Sequence, residues 1–103
     1  MLGMAEIQVT SWRDLPSLVV ARDGDDVVKI PLPPRFQEAI DEAAMRLGAV
    51  DSTAYLDGWT RSPWEVVGGD ITAAAEESVQ ALEGRWSDEA IATYLDATGP
   101  AQH

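Results

Sequence analysis

The stretch "SLVVARDGDDVVKIPLPPRFQEAIDEAAMRLG" (residues 17–48) predicts both kinds of secondary structure in this chain. Its first half places two β-branched runs around an acidic turn with Gly24, which tolerates positive φ, and so predicts a β-hairpin. Its second half predicts a helix that starts at Pro33 and Pro34, where a missing N–H costs nothing, and ends at Gly48. The apolar stripe of that helix has three-and-four spacing and comprises Phe36, Ile40, Ala43, Ala44 and Leu47.

A three-residue loop, residues 23–25, is the expected connection of the hairpin. It places apolar residues opposite apolar ones and an arginine opposite an acid. The pairs that it predicts are Val20 with Val28, Leu18 with Ile30, and Arg22 with Asp26. Other loop lengths remain open.

Alternating sequence on both sides of this stretch predicts further strands. Residues 5–13 alternate, and the pattern puts Trp12 on the polar side of the strand, with Gln8 and Thr10. Residues 54–61 also alternate and end at Ser62-Pro63, after which residues 64–67 either continue the strand or return beside it.

Two more helices follow, and they complete the predicted fold. Asp70 can cap the helix "ITAAAEESVQALE", which Gly84 ends, and Ser87 can cap a last helix. The order β-ββ-α-β(β)-α-α predicts an α+β domain of two layers, with an antiparallel or mixed sheet of 3–5 strands and about three helices on one face. We expect one domain over residues 5–98, a disordered N-terminus at 1–4 and a tail at 99–103.

The composition argues against most common catalytic and metal sites. The 103 residues include no cysteine and a single histidine, His103, at the end of the sequence. Thiolate chemistry, histidine base catalysis and His- or Cys-ligated metals are therefore not expected. We expect no cofactor, no metal and no enzymatic activity.

The charge narrows the range of partners. Seven basic residues stand against 18 acidic ones, a formal charge of −11. Such a surface repels nucleic acids and anionic membranes but can attract a basic partner. No apolar run approaches the roughly 18 residues of a membrane span, so a cytoplasmic location is expected.

The segment "YLDGWTRSPW" (residues 55–64) is the densest in side chains that either fill a core or bind a partner. On a strand, one face would carry Tyr55, Asp57, Trp59 and Arg61. Either the aromatic residues pack in the core, or the set forms an exposed aromatic and arginine surface of the kind enriched at binding sites. The candidate interaction residues are Trp12, Arg13, Tyr55, Asp57, Trp59, Arg61 and Trp64.

The runs "IQVTSWRDLPSLVVARDGDD", "VKIPLPPRFQEAID" and "AYLDGW" resemble the small bacterial virulence factor family, over most of residues 6–86. Its domain occurs alone or attached to proteins of the conserved virulence factor C type. The resemblance brings no catalytic residues with it. It implies an accessory subunit, because stand-alone members accompany folate-dependent one-carbon proteins, methylenetetrahydrofolate reductase-like enzymes among them.

Three hypotheses of function follow. The first is a non-enzymatic accessory domain that binds a larger protein through the candidate residues. The second is a binding module or minor enzyme for an anionic, folate-like ligand, which uses the face of Tyr55, Asp57, Trp59 and Arg61. The third is a homodimer that closes an exposed sheet edge.

Overall fold

The computed structural model describes residues 4–48 and 52–98, and these form an antiparallel sheet of five strands with four helices. The predicted α+β class is confirmed. The elements are β1 (Glu6–Trp12), β2 (Leu15–Asp23), β3 (Asp26–Pro31), α1 (Pro34–Arg46), α2 (Ser52–Asp57), β4 (Trp59–Arg61), β5 (Glu65–Val66), α3 (Ile71–Arg85) and α4 (Asp88–Asp96). Residues 1–3 of the expected N-terminus and the expected tail at 99–103 lie outside the described residues. Met4, expected to belong to that disordered end, forms an isolated bridge with Gly69.

The strands are ordered β3-β2-β1-β4, and β5 pairs with β1 on the same side as β4. The helix-covered face of the sheet carries apolar side chains, because alternate positions such as Ile7, Val19 and Ala21 are buried against α1 and α3. The predicted stripe of α1 supplies much of this core through Phe36 and Ile40. The core therefore lies between one face of the sheet and the helices.

The predicted helix boundaries are confirmed at three caps. Asp70 accepts a hydrogen bond from the Ala73 amide at 3.0 Å, and Ser87 accepts one from the Ala90 amide at 3.1 Å. Gly48 follows α1 with φ +73, the left-handed conformation in which many helices end. The predicted end of α3 is two residues short, since the helix predicted to stop at Glu83 before Gly84 continues to Arg85.

The predicted register of the hairpin is wrong by one residue. Asp23 pairs with Asp26, so the loop holds only Gly24, at φ +62, and Asp25. The expected pairs of Val20 with Val28, Leu18 with Ile30 and Arg22 with Asp26 are replaced by Val20 with Lys29, Leu18 with Pro31 and Arg22 with Val27. The observed register aligns the apolar residues of the helix-covered face, and its pairs there are Val19 with Ile30 and Ala21 with Val28.

The strand predicted over residues 54–61 is wrong in its first half. Residues 52–57 form the short helix α2, and only Trp59–Arg61 are a strand. A helix places Tyr55 and Asp57 about 200° apart around its axis, so these two residues do not share a face with Trp59 and Arg61 as predicted. The helix instead brings Tyr55 onto Trp12, as described below.

Candidate interaction surface

Three aromatic side chains pack together where β1, α2 and β4 meet. We call these residues, Trp12, Tyr55 and Trp59, the aromatic cluster. The rings of Trp12 and Tyr55 are stacked with centroids 5.9 Å apart, and Trp59 meets Tyr55 edge-on at 5.9 Å. The Trp12 indole N–H donates a 2.7 Å hydrogen bond to the Tyr55 carbonyl oxygen. Trp12 is fully buried, whereas Tyr55 and Trp59 are half-buried.

The exposed position predicted for Trp12 is therefore wrong. Alternation along β1 puts it with the half-exposed Gln8 and Thr10, but Trp12 is the last residue of the strand, where α2 covers it. The backbone at Gly58 lies against the same ring, since a Cβ built on Gly58 would be 2.4 Å from the indole nitrogen. Trp12 is thus a core residue.

Arg13 occupies a strained position in the tight turn between β1 and β2. Its φ is +54, the single positive φ among the non-glycine residues that the structure describes. Its amide donates a 2.7 Å bond to the Gly58 carbonyl oxygen, which fixes the backbone, and its guanidinium lies 5.3 Å from the centroid of the Trp12 ring. The Arg13 side chain is exposed and ends on the surface beside the aromatic cluster.

We expect Arg13→Gly to raise the free energy of unfolding by about 1 kcal/mol. Left-handed backbone costs an L-residue roughly 1–2 kcal/mol, and the greater entropy of glycine in the unfolded chain offsets part of that gain. Urea denaturation measures the change. The matched control is Asp14→Gly, because Asp14 shares the turn without a positive φ and should lose stability. A loss of stability in Arg13→Gly would show that the guanidinium contact outweighs the strain.

The strand β4 forms one edge of the sheet, and its register shows which backbone groups point away from β1. The Gly58 carbonyl oxygen accepts a hydrogen bond from the Arg13 amide, and the Ser62 amide donates one to the Val9 carbonyl oxygen at 2.9 Å. Because bonded positions alternate in an antiparallel pair, Thr60 also bonds toward β1, whereas the N–H and C=O groups of Trp59 and Arg61 point outward. No other described residue bonds to those outward groups.

The edge is interrupted after β4 by a bulge. Ser62 lies opposite Val9 and Glu65 lies opposite Ile7, so Pro63 and Trp64 together face one residue of β1. Proline and a bulge are features by which edge strands avoid pairing with other chains. The open part of the edge is therefore β4 itself.

Trp64 is held against the face of the sheet that the helices leave open. The Arg22 guanidinium lies 3.7 Å from the centroid of the Trp64 ring, and Arg22 also forms a 2.9 Å ion pair with Glu6. Trp64 remains half-exposed in this stack. The predicted role of Trp64 in partner binding stays a prediction. Its cation–π contact with Arg22 holds parts of the domain together.

Arg61 has an exposed side chain and no acidic residue within ion-pair distance in the described part of the chain. It borders a shallow depression of about 540 Å³ whose other lining residues are Thr10, Trp59 and Thr60. We call these four residues the β4 surface. It combines an aromatic ring, two hydroxyls, outward backbone groups and one unpaired cation.

A family sequence model with the description "Virulence factor" matches residues 10–94, which is most of the chain. The chain belongs to the virulence factor family. No curated protein and no solved structure matches it. The resemblance seen in the sequence is thereby confirmed, and the matched range includes the whole β4 surface.

The structure brings together only some of the residues predicted to bind a partner. In this virulence factor domain, Trp59 and Arg61 line the β4 surface and Arg13 lies beside the aromatic cluster, whereas Asp57 is exposed at the end of α2. Thr10 and Thr60 were not predicted to belong to this surface. Their β-propensity and hydroxyls suit many strands, so only the pairing of β1 with β4 identifies them.

Other parts of the virulence factor domain present fewer groups suited to binding. A depression of about 340 Å³ beside Tyr94 is lined by Arg13, Asp14, Leu47, Ala97 and Thr98. Burial, and then the charge of Asp14, raise the pKa of the Tyr94 hydroxyl, so this phenol is neutral at physiological pH. Within residues 4–48 and 52–98, no group of three or more acidic, histidine or cysteine side chains could hold a metal ion, and no helix is long and apolar enough to cross a membrane.

Proposed function

We propose that this virulence factor domain is a non-enzymatic accessory domain that binds a larger protein through the β4 surface. The observation that carries the proposal is the combination of an open sheet edge at Trp59 and Arg61 with an unpaired guanidinium. Aromatic and arginine side chains contribute most of the binding energy at many protein interfaces. The edge backbone adds hydrogen-bonding groups that a partner chain can satisfy.

The distribution of arginine contacts supports Arg61 as a binding residue. Arg35 donates to the carbonyl oxygen of Trp86, and Arg46 donates to that of Leu95 at 2.7 Å, so both hold α1 against other helices. Arg22 is engaged by Glu6 and Trp64. Arg61 and Arg85 are both exposed and make no such contact among the described residues, and of these two only Arg61 lies on a strand at an open edge of the sheet. An exposed cation without an internal role is available to a partner.

The family resemblance favours one class of partner. It implies association with folate-dependent one-carbon proteins, and we propose a methylenetetrahydrofolate reductase-like enzyme as the partner. The lack of cysteine, with a single histidine at residue 103, supports an accessory role in place of a catalytic one.

A tagged pull-down from the native host, followed by mass spectrometry, tests this function. We expect the wild-type domain to recover a partner in stoichiometric amount and Arg61→Ala to lose it, while the free energy of unfolding changes by no more than about 0.5 kcal/mol. Lys29→Ala is the matched control, because Lys29 is an exposed cation on β3, the strand at the opposite edge of the sheet. Recovery of the same partner by Arg61→Ala would contradict the proposal.

The second candidate function is binding of a small anionic ligand, and the depression beside Trp59 and Arg61 is the observation that favours it. A flat anion such as folic acid could stack on the indole and pair with the guanidinium. Quenching of tryptophan fluorescence by folic acid, lost in Arg61→Ala, would favour this function over protein binding. No quenching together with a recovered protein partner favours the first.

A further inference from the structure

We infer that the partner of the β4 surface supplies an extended segment that adds to β4 as a further strand and places an acidic side chain on Arg61. This inference rests on the proposed function and goes further, because it states the conformation and the charge of the bound segment. It follows from the backbone of β4, from the length of the open edge and from the position of the unpaired charge.

The backbone of β4 presents hydrogen-bonding groups in the spacing that a strand requires. The outward N–H and C=O groups belong to Trp59 and Arg61, which are two residues apart and separated by the inward-bonding Thr60. A neighbouring strand bonds to alternate residues, so it meets both outward positions at once. A helix satisfies its own backbone groups and would leave these unpaired. The edge therefore selects an extended segment.

The flanking structure limits the length of that segment. On one side β4 is preceded by Gly58 and helix α2, and on the other the bulge at Pro63 and Trp64 ends the regular edge. A three-residue strand with one proline-containing flank gives a short pairing site and discourages the long pairing that leads to aggregation. Side-chain contacts must therefore supply the specificity.

The charge of Arg61 decides which side chain fits. The chain carries a formal charge of −11, which as a whole would attract a basic segment. Exposed charges are screened over about 8 Å at physiological ionic strength. Two exposed acids lie closer to Arg61 than the hairpin turn does: Asp57 at the end of α2, and Glu65, which is opposite Ile7 and so about 10 Å along β1 from the row of Thr10 and Arg61. Neither forms an ion pair with Arg61. At contact distance the guanidinium is the nearest charge to a bound side chain, and a carboxylate is the complementary group.

The neighbours of Arg61 define the rest of the segment. Trp59 provides an apolar ring two residues away on the same side of β4, and Thr10 lies opposite Arg61 on β1. A segment with an acidic residue and a β-branched or aromatic residue two positions away matches this row. A second copy of this chain is a poorer occupant, because two copies each bring a charge of −11.

Selection of a phage-displayed library of random nine-residue peptides on the wild-type domain tests the inference. We expect enriched sequences with an acidic residue two positions from a β-branched or aromatic one, and binding at least about tenfold weaker to Arg61→Ala. Lys29→Ala is the matched control and should bind as the wild type does. Methylation of one of the two sets of alternate backbone nitrogens of a selected peptide should abolish binding, since it removes the donors that pair with β4, whereas methylation of the other set should be tolerated.

Four outcomes would overturn the inference: enrichment of basic or amphipathic helical peptides, no enrichment, binding that survives in Arg61→Ala, or binding that survives N-methylation of each of the two sets of alternate nitrogens, tested separately. Light scattering that shows a homodimer closed through β4 would overturn it as well. These failures are separable from failure of the proposed function. A host partner lost in Arg61→Ala, but not displaced by an acidic extended peptide, would keep the accessory role and remove strand addition.

Discussion

Trp12→Ala is expected to lower the free energy of unfolding by about 3–5 kcal/mol, the usual cost of truncating a large buried aromatic residue. The side chain is fully buried, stacks on Tyr55 and donates its indole N–H to the Tyr55 carbonyl oxygen at 2.7 Å. Its removal leaves a cavity at the contact of α2 with the sheet, and the Tyr55 carbonyl oxygen keeps only the hydrogen bond that the Gly58 amide donates at 3.1 Å. Small domains have roughly 5–15 kcal/mol of stability, so this loss is a large fraction of the total and should shift the denaturation midpoint strongly toward lower denaturant.

Urea denaturation followed by circular dichroism measures this loss, and Trp64→Ala is its control. Trp64 is the same type of residue, but it is half-exposed on the open face and contacts Arg22 outside the core. Its truncation should cost only about 1–2 kcal/mol. Equal effects of the two substitutions would contradict the assignment of Trp12 to the core. Trp12→Phe should fall between them, since it keeps most of the ring volume and loses the hydrogen bond.

Gly58→Ala is expected to lower the free energy of unfolding by about 2–3 kcal/mol, because it overpacks the ring of Trp12. The added Cβ would lie 2.4 Å from the indole nitrogen and 2.5 Å from a ring carbon, closer than any non-bonded contact allows. The indole is rigid and enclosed, so the backbone of β4 or the ring must shift. Displacement of the Trp12 ring should appear as a shift in the tryptophan emission maximum of the folded variant.

Gly84→Ala is the matched control for this substitution. Gly84 lies inside α3, and a Cβ there meets no atom within 4 Å. Alanine is the better helix former by about 1 kcal/mol, so this variant should gain stability. If both glycine variants lost a similar amount, steric conflict at Trp12 would not be the reason for the cost at Gly58.

The elements with a regular apolar pattern and a clear start could be predicted from the sequence. Helix α1 was predicted by the stripe through Phe36 and Ile40, and α3 and α4 by the caps at Asp70 and Ser87. The hairpin was recognised as well, but its register was not, because Gly24 suits loops of two or three residues. Alignment of apolar residues on the helix-covered face selects between these loops, and that requires the tertiary structure.

The candidate site could be predicted only in part. Residues 54–57 alternate like a strand, yet they belong to helix α2. The six residues of α2 are too few for the apolar periodicity to distinguish a helix from a strand. The position of Trp12 depends on α2 covering the end of β1, a contact between residues 43 apart in sequence. Arg61 and Trp59 were selected by composition, whereas the outward direction of their backbone groups follows from the pairing of β4 with β1.

Reversal of charge at Arg61 tests the central claim, that the β4 surface binds a partner protein, most directly. The measurement is the ratio of partner to tagged domain in pull-downs from the native host, with Arg61→Glu compared with Lys29→Glu. Both variants change the net charge equally, but only Arg61 lies on the β4 surface. The account predicts at least about tenfold less partner with Arg61→Glu and a change of no more than about twofold with Lys29→Glu. Equal recovery with both variants, or equal loss, would contradict it.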